Sequence, residues 1–130
     1  MTRKELSQLY YLRREIASDR ERLAKLEAAA TAVSPNSSGM PGGKGKASDK
    51  TALAAEIADL RALIRRKIHR EEDELLRLMS FIDGIDDSLT RQIFTARFVD
   101  GLSWTAVAMK AGGGNTPESV RQLCSRYLHS

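Results

Sequence analysis

Cysteine is almost missing from the 130 residues: Cys124 stands alone, so no disulfide can close within the chain. A single thiol suits a reducing cytosol. Aromatic residues make up only 5% of the chain, against 29% charged residues. That balance fits long solvated helices better than a thick globular core. No apolar run approaches the roughly 20 residues of a membrane span, so no membrane partner is expected. The charged opening "MTRKELSQLYYLRREI" has no apolar core of the kind a secretory leader needs. His69 and His129 have no spaced Cys or His partners, so no metal site is expected. No nucleophile sits beside a base in any recognisable pattern. The expectation is no enzyme activity and no cofactor.

Charge is present but evenly dealt. The net value is +4. Residues 1–30 carry seven basic and five acidic side chains, and residues 49–83 carry seven and eight. From Gly84 onward there are five basic and four acidic ones. A nucleic-acid partner would therefore meet few phosphate contacts per chain, and a second copy would help. The run "RRKIHR" (65–70) is followed at once by "EEDE" (71–74) and reads as a solvated helix face with i,i+4 pairs. Those four acids point in several directions and do not form a cage.

Composition divides the chain into three zones. From Arg3 to about Ala30 there is neither Gly nor Pro, and good helix formers dominate. Leu9, Leu12, Ile16, Leu23 and Leu26 recur at three- and four-residue steps, with Asp19 in the slot where one apolar residue is missing. This is a coiled-coil seam with a polar interruption. Residues 31–50, "TAVSPNSSGMPGGKGKASDK", hold two prolines and four glycines and read as a flexible loop at 31–49, with Ser48 a candidate N-cap. From Lys50 to about Ile82 a second long helix is expected. Leu53, Ile57, Leu60 and Ile64 form its seam, and Ile68, Leu75, Leu78 and Ile82 continue it after a one-residue stutter. Asp83-Gly84 supplies a stop. Two long helices, each with one apolar stripe, most economically form an antiparallel hairpin over residues 1–83. Leftover surface would remain for a homodimer.

Residues 84–130 read as three short helices. Asp87 or Ser88 caps the first, where Leu89, Ile93, Ala96 and Arg97 follow helical spacing; Asp100-Gly101 ends it. Ser103 caps "WTAVAMKA", in which Trp104, Val107, Ala108 and Ala111 share a face. Thr116 caps the last helix, Pro117 takes its first position, and Glu118 complements the helix dipole. Val120, Leu123, Cys124, Tyr127 and Leu128 form its apolar stripe.

Two short helices joined by a tight turn, with the small Ala108 facing inward, describe a helix-turn-helix. The common form separates that alanine from the inward valine of the second helix by about ten residues. Here Ala108 to Val120 is twelve, so the turn "GGGN" is longer than usual. A nucleotide-phosphate loop is excluded as the better reading, because "GGGN" lacks a preceding strand and a Lys-Ser/Thr ending. With the apolar stripe inward, Glu118, Ser119, Arg121, Gln122, Ser125 and Arg126 face out. Arg and Gln suit bidentate contacts with guanine and adenine edges, while Thr116, Ser119 and the helix start suit a phosphate. These seven residues are the candidate DNA-binding set.

The segment "LTRQIFTARFVDGLSWTAVAMKAGGGNTPESVRQLCSRYL" resembles region 4 of sigma-70 factors: a helix ending in Arg-aromatic, a "DGLSW" turn, then the helix-turn-helix. The whole chain is similar to a family of small phage- and prophage-encoded proteins, which share the "LYYLRREI"-like helix, the "SGMPGGKGKASDK" loop and the sigma region 4-like end. The resemblance implies a phage transcriptional regulator that acts on double-stranded DNA in the cytoplasm of a host bacterium, with host RNA polymerase a further candidate partner. Nothing resembles the sigma segment that melts promoters, so recruitment rather than melting is expected. Two alternatives stay open: a module that docks on polymerase or another regulator with little DNA contact, and a small DNA-packaging subunit.

Overall fold

The computed structural model describes residues 1–32 and 44–129, and for 44–48 the course of the backbone alone. Every described element is helical: α1 (Arg3–Leu6), α2 (Gln8–Thr31), α3 (Lys44–Asp83), α4 (Ser88–Phe94), a π-helical segment (Thr95–Val99), α5 (Trp104–Ala111) and α6 (Pro117–His129). None of the described helices is long and apolar enough to cross a membrane.

Three boundaries differ from the sequence reading. Helix formation at the start is interrupted at Ser7. Thr2 and Glu5 close a capping box around α1, and the Ser7 hydroxyl donates to the Arg3 carbonyl at its end. Helix α3 begins at Lys44, ahead of the expected cap at Ser48, and takes Gly45 into its first turn. The rest of the expected loop, residues 33–43, lies outside the described residues. The third difference is the π-helical turn after α4. There the Asp100 N–H reaches back five residues to the Thr95 carbonyl (2.9 Å), and the Leu102 N–H reaches Ala96 (3.1 Å).

The chain divides into two compact units: Met1–Arg13 with Arg70–Ser130, and Arg14–His69. These boundaries fall inside α2 and α3. The physical reason is the core of the first unit. Leu6, Leu9, Leu78 and Ile82, from the ends of the long helices, belong to one buried cluster with Ile93, Phe94, Val107, Ala108, Val120 and Cys124. Phe94 sits at its centre, with Phe98 (5.4 Å between ring centroids), Tyr127 (5.5 Å) and Phe81 (6.1 Å) around it. Of the stripe expected on α4, Ile93 and Ala96 are buried, whereas Leu89 is exposed and Arg97 lies at the edge. Arg97 stacks its guanidinium 4.3 Å over Trp104 and donates to the Leu102 carbonyl (2.9 Å). The unit is further tied by Arg13, which bridges Glu71 (3.1 Å) and the Val99 carbonyl, and by Arg77 to Glu5 (3.2 Å).

In the second unit, Ile16, Ile57, Leu60 and Ile64 form the buried stripe. Lys67 meets both Glu15 (2.9 Å) and Asp19, while Arg61 meets Glu27 (2.6 Å), so residue numbers rise along one helical segment as they fall along the other. Asp19, the polar residue in the apolar seam, thus has its partner. Both Asp19 and Lys67 keep only 14% of side-chain exposure, and the hydrogen bond from Lys67 to Asp19, with that to Glu15, raises the Lys67 pKa above its ordinary value.

Candidate nucleic-acid interface

Helix α5 ends on Ala111 because three glycines follow in the left-handed region: Gly112 at φ 64°, Gly113 at 61° and Gly114 at 78°. A side chain at any of them would be strained, although each has open space around it. Asn115 then pins the turn. Its backbone N–H and its side-chain amide both donate to the Gly112 carbonyl (3.1 and 2.8 Å). Neither the sequence motif nor the residue classes pointed to Asn115 as the latch; an Asn between a glycine run and Thr-Pro was the available signal.

The start of α6 is closed by a reciprocal pair. Thr116 Oγ1 accepts from the Ser119 N–H (3.0 Å), and Ser119 Oγ accepts from the Thr116 N–H (2.9 Å). The Ser119 hydroxyl also lies within reach of Asn115 Oδ1 (3.3 Å) and the Thr116 carbonyl (3.0 Å). Both hydroxyls expected to meet a phosphate are therefore engaged in holding the helix start. The turn packs α5 on α6, and α4 on both. Val120 and Cys124 are sealed in the core. Burial pushes the Cys124 thiol up to about 11, which leaves it a small packing residue rather than a nucleophile. Tyr127 stays 37% exposed but presents its ring edge-on to Phe94 and Phe81.

All seven candidate residues lie in or at the cap of this one helix. Glu118, Gln122 and Arg126 are exposed, Arg121 and Ser125 half-buried. The outer face is not simply basic. Glu118 accepts from Arg121 Nε (3.0 Å), from its Nη2, and from Gln122 Nε2 (3.2 Å). The Arg121 hydrogen bonds hold the Glu118 carboxyl below the usual carboxylate range. Glu118 thus gathers two of the three side chains suited to base edges and cancels one of the two arginine charges. Arg126 is left as the cation of this face not paired to Glu118. Among the described residues no group of three His, Cys, Asp or Glu could hold a metal ion.

No family model matches the chain. Comparison with curated proteins and with solved structures gives no match either.

Proposed function

We propose that the chain is a phage DNA-binding transcriptional regulator, with α5, the glycine turn and α6 acting as a helix-turn-helix and the two long helices as an antiparallel coiled-coil hairpin. In this reading α6 enters the major groove of promoter-proximal DNA in the host cytoplasm. Arg121, Gln122 and Arg126 meet base edges and phosphates, and the hairpin pairs two chains. No catalytic step is involved. The observation that carries the reading is the polarity of α6: Val120 and Cys124 close the core while Arg121, Gln122 and Arg126 face away from it. A groove-reading helix needs that division.

A fluorescence-anisotropy titration of the full chain against fragments of a phage promoter tests it. Arg121→Ala with Arg126→Ala should weaken binding at least about tenfold and flatten its salt dependence. Glu118→Gln should tighten binding, because it frees Arg121 and removes a charge that faces phosphates. Affinity indifferent to all three changes and to salt would sink the proposal.

The Glu118–Arg121 pair also favours a second reading. A face whose charge is half cancelled suits a protein surface better than a polyanion, and host RNA polymerase would then be the partner. Capture of polymerase that survives nuclease treatment, with no anisotropy change on DNA, separates this reading from the first. A small DNA-packaging subunit would instead assemble as a ring of many copies.

A further inference from the structure

Among its described residues the unit Arg14–His69 contains two helical segments, and each can turn one stripe toward the other. On one side of that stripe lies a groove of about 400 Å³, floored by Leu26, Leu60 and Leu63. Leu26 and Leu63 are only half-buried there, a loss for side chains that gain most by leaving water. The charged rim is sorted by sign. Arg22 and Arg66 flank the leucines at one end, and Glu56 and Asp59 at the other. Among the described residues, the ion pairs inside the unit use Lys67 with Glu15 and Asp19, and Arg61 with Glu27.

We propose that this groove is the seat of a second copy of the chain, laid across it about a two-fold axis. The charge pattern selects that occupant. A surface with cations at one end and carboxylates at the other is complementary to itself when turned end for end, as an isologous contact requires. On α3, Glu56 and Arg66 stand ten residues apart, about 15 Å along the helix, with their midpoint between Leu60 and Leu63. A two-fold axis at that midpoint places Arg66 of one copy opposite Glu56 of the other, and Leu60 of each copy beside Leu63 of the other. Arg22 falls at the level of the partner's Asp59. The result is a four-helix bundle whose shared core is the leucine floor. A nucleic acid would be repelled by the Glu56–Asp59 end, and an unlike helix would have no reason to match both ends. The proposal names the surface through which chains pair. It deepens that part of the proposed function but uses no residue of α6.

Sedimentation equilibrium of the full chain decides it. The wild type should show twice the 14.4 kDa chain mass. Arg66→Glu alone, or Glu56→Arg alone, sets like charges against each other twice by symmetry. Each should raise the dissociation constant roughly tenfold or more. Both reversals in one chain restore opposite signs and should return the constant to within about threefold of wild type. All four residues lie on the rim, so helix content by circular dichroism should not change. A monomer at every concentration, a ring of many copies, a dimer indifferent to either single reversal, or a double reversal without recovery would each overturn the proposal. The two proposals fail separately. A dimer that ignores DNA removes only the regulator; a monomer that binds DNA removes only this surface.

Discussion

In the unit of Met1–Arg13 and Arg70–Ser130, Phe94 and Val120 have no measurable exposure, and the helix ends that surround them arrive from several parts of the chain. In the unit of Arg14–His69 the best-buried described residue is Ile16 at 3%, and the seam carries an aspartate. Helices on several sides can seal an aromatic ring. Two helical segments can only share a stripe, so their remaining apolar surface must meet water, a charged pair or another chain. The difference lies in the number of walls, not in helix quality, since both units use the same two long helices. It also sorts the roles: the sealed unit holds α6 in a fixed place, and the open one has surface to spare.

The harshest way to break this contrast is to remove the central ring. Phe94→Ala should destabilise the chain by about 3–5 kcal/mol, the loss of a fully enclosed Phe plus the cavity it leaves. Urea denaturation measures the total. Hydrogen exchange locates it: protection of amides in α5 and α6 should collapse more than protection around Ile57–Ile64. Equal loss in both regions would show that the two units share one cooperative core after all.

A smaller effect is expected from the open unit. Asp19→Ala leaves the ammonium of Lys67, largely shielded from solvent, with Glu15 as its remaining carboxylate partner. The cost should be about 1–3 kcal/mol. Asp19→Leu together with Lys67→Met fills the seam with apolar groups, and thermal unfolding should return to wild type or rise above it. If the pair of apolar residues were as damaging as the single change, the ion pair would be supplying more than charge compensation.

These two tests fall on residues of very different legibility. Asp19 stood out in the sequence because a seam with one polar slot is a local pattern, and its neighbours at three and four residues define it. The caps Ser103 and Thr116 were legible for the same reason, since each hydroxyl accepts from an N–H three residues on. Phe94 was not. Its surroundings come from α3 and α6, and helical spacing on α4 alone gave Leu89 equal standing, although Leu89 is exposed. The π-helical turn compounded this by bringing Phe98 into the core where regular spacing would place Arg97. The outward set on α6 could be read from one helix's periodicity. That Glu118 ties Arg121 and Gln122 together depends on rotamers, which spacing does not fix.

The finest distinction between the units is their response to pH. At the start of α4, Asp87 Oδ2 accepts from both the N–H (3.0 Å) and the hydroxyl (2.6 Å) of Thr90. The hydroxyl bond first, then the N–H, lowers the Asp87 pKa, and the Thr2 N–H does the same for Glu5. A carboxyl whose folded pKa is depressed stabilises the fold above its ordinary value, near pH 4, and loses that contribution as pH falls through the folded pKa. Lys67 has the opposite sign. Its raised pKa gives a stabilisation complete below the ordinary lysine value and lost as pH climbs past the folded one. Acid should therefore loosen the caps of the sealed unit, and alkali should loosen the seam of the open one. Asp87→Asn keeps an N-cap acceptor but no longer titrates, so unfolding followed between about pH 2 and pH 4 should show a shallower slope than wild type. Lys67→Met should flatten only the alkaline limb. An acid slope unchanged by Asp87→Asn would mean that the cap contributes geometry and no charge.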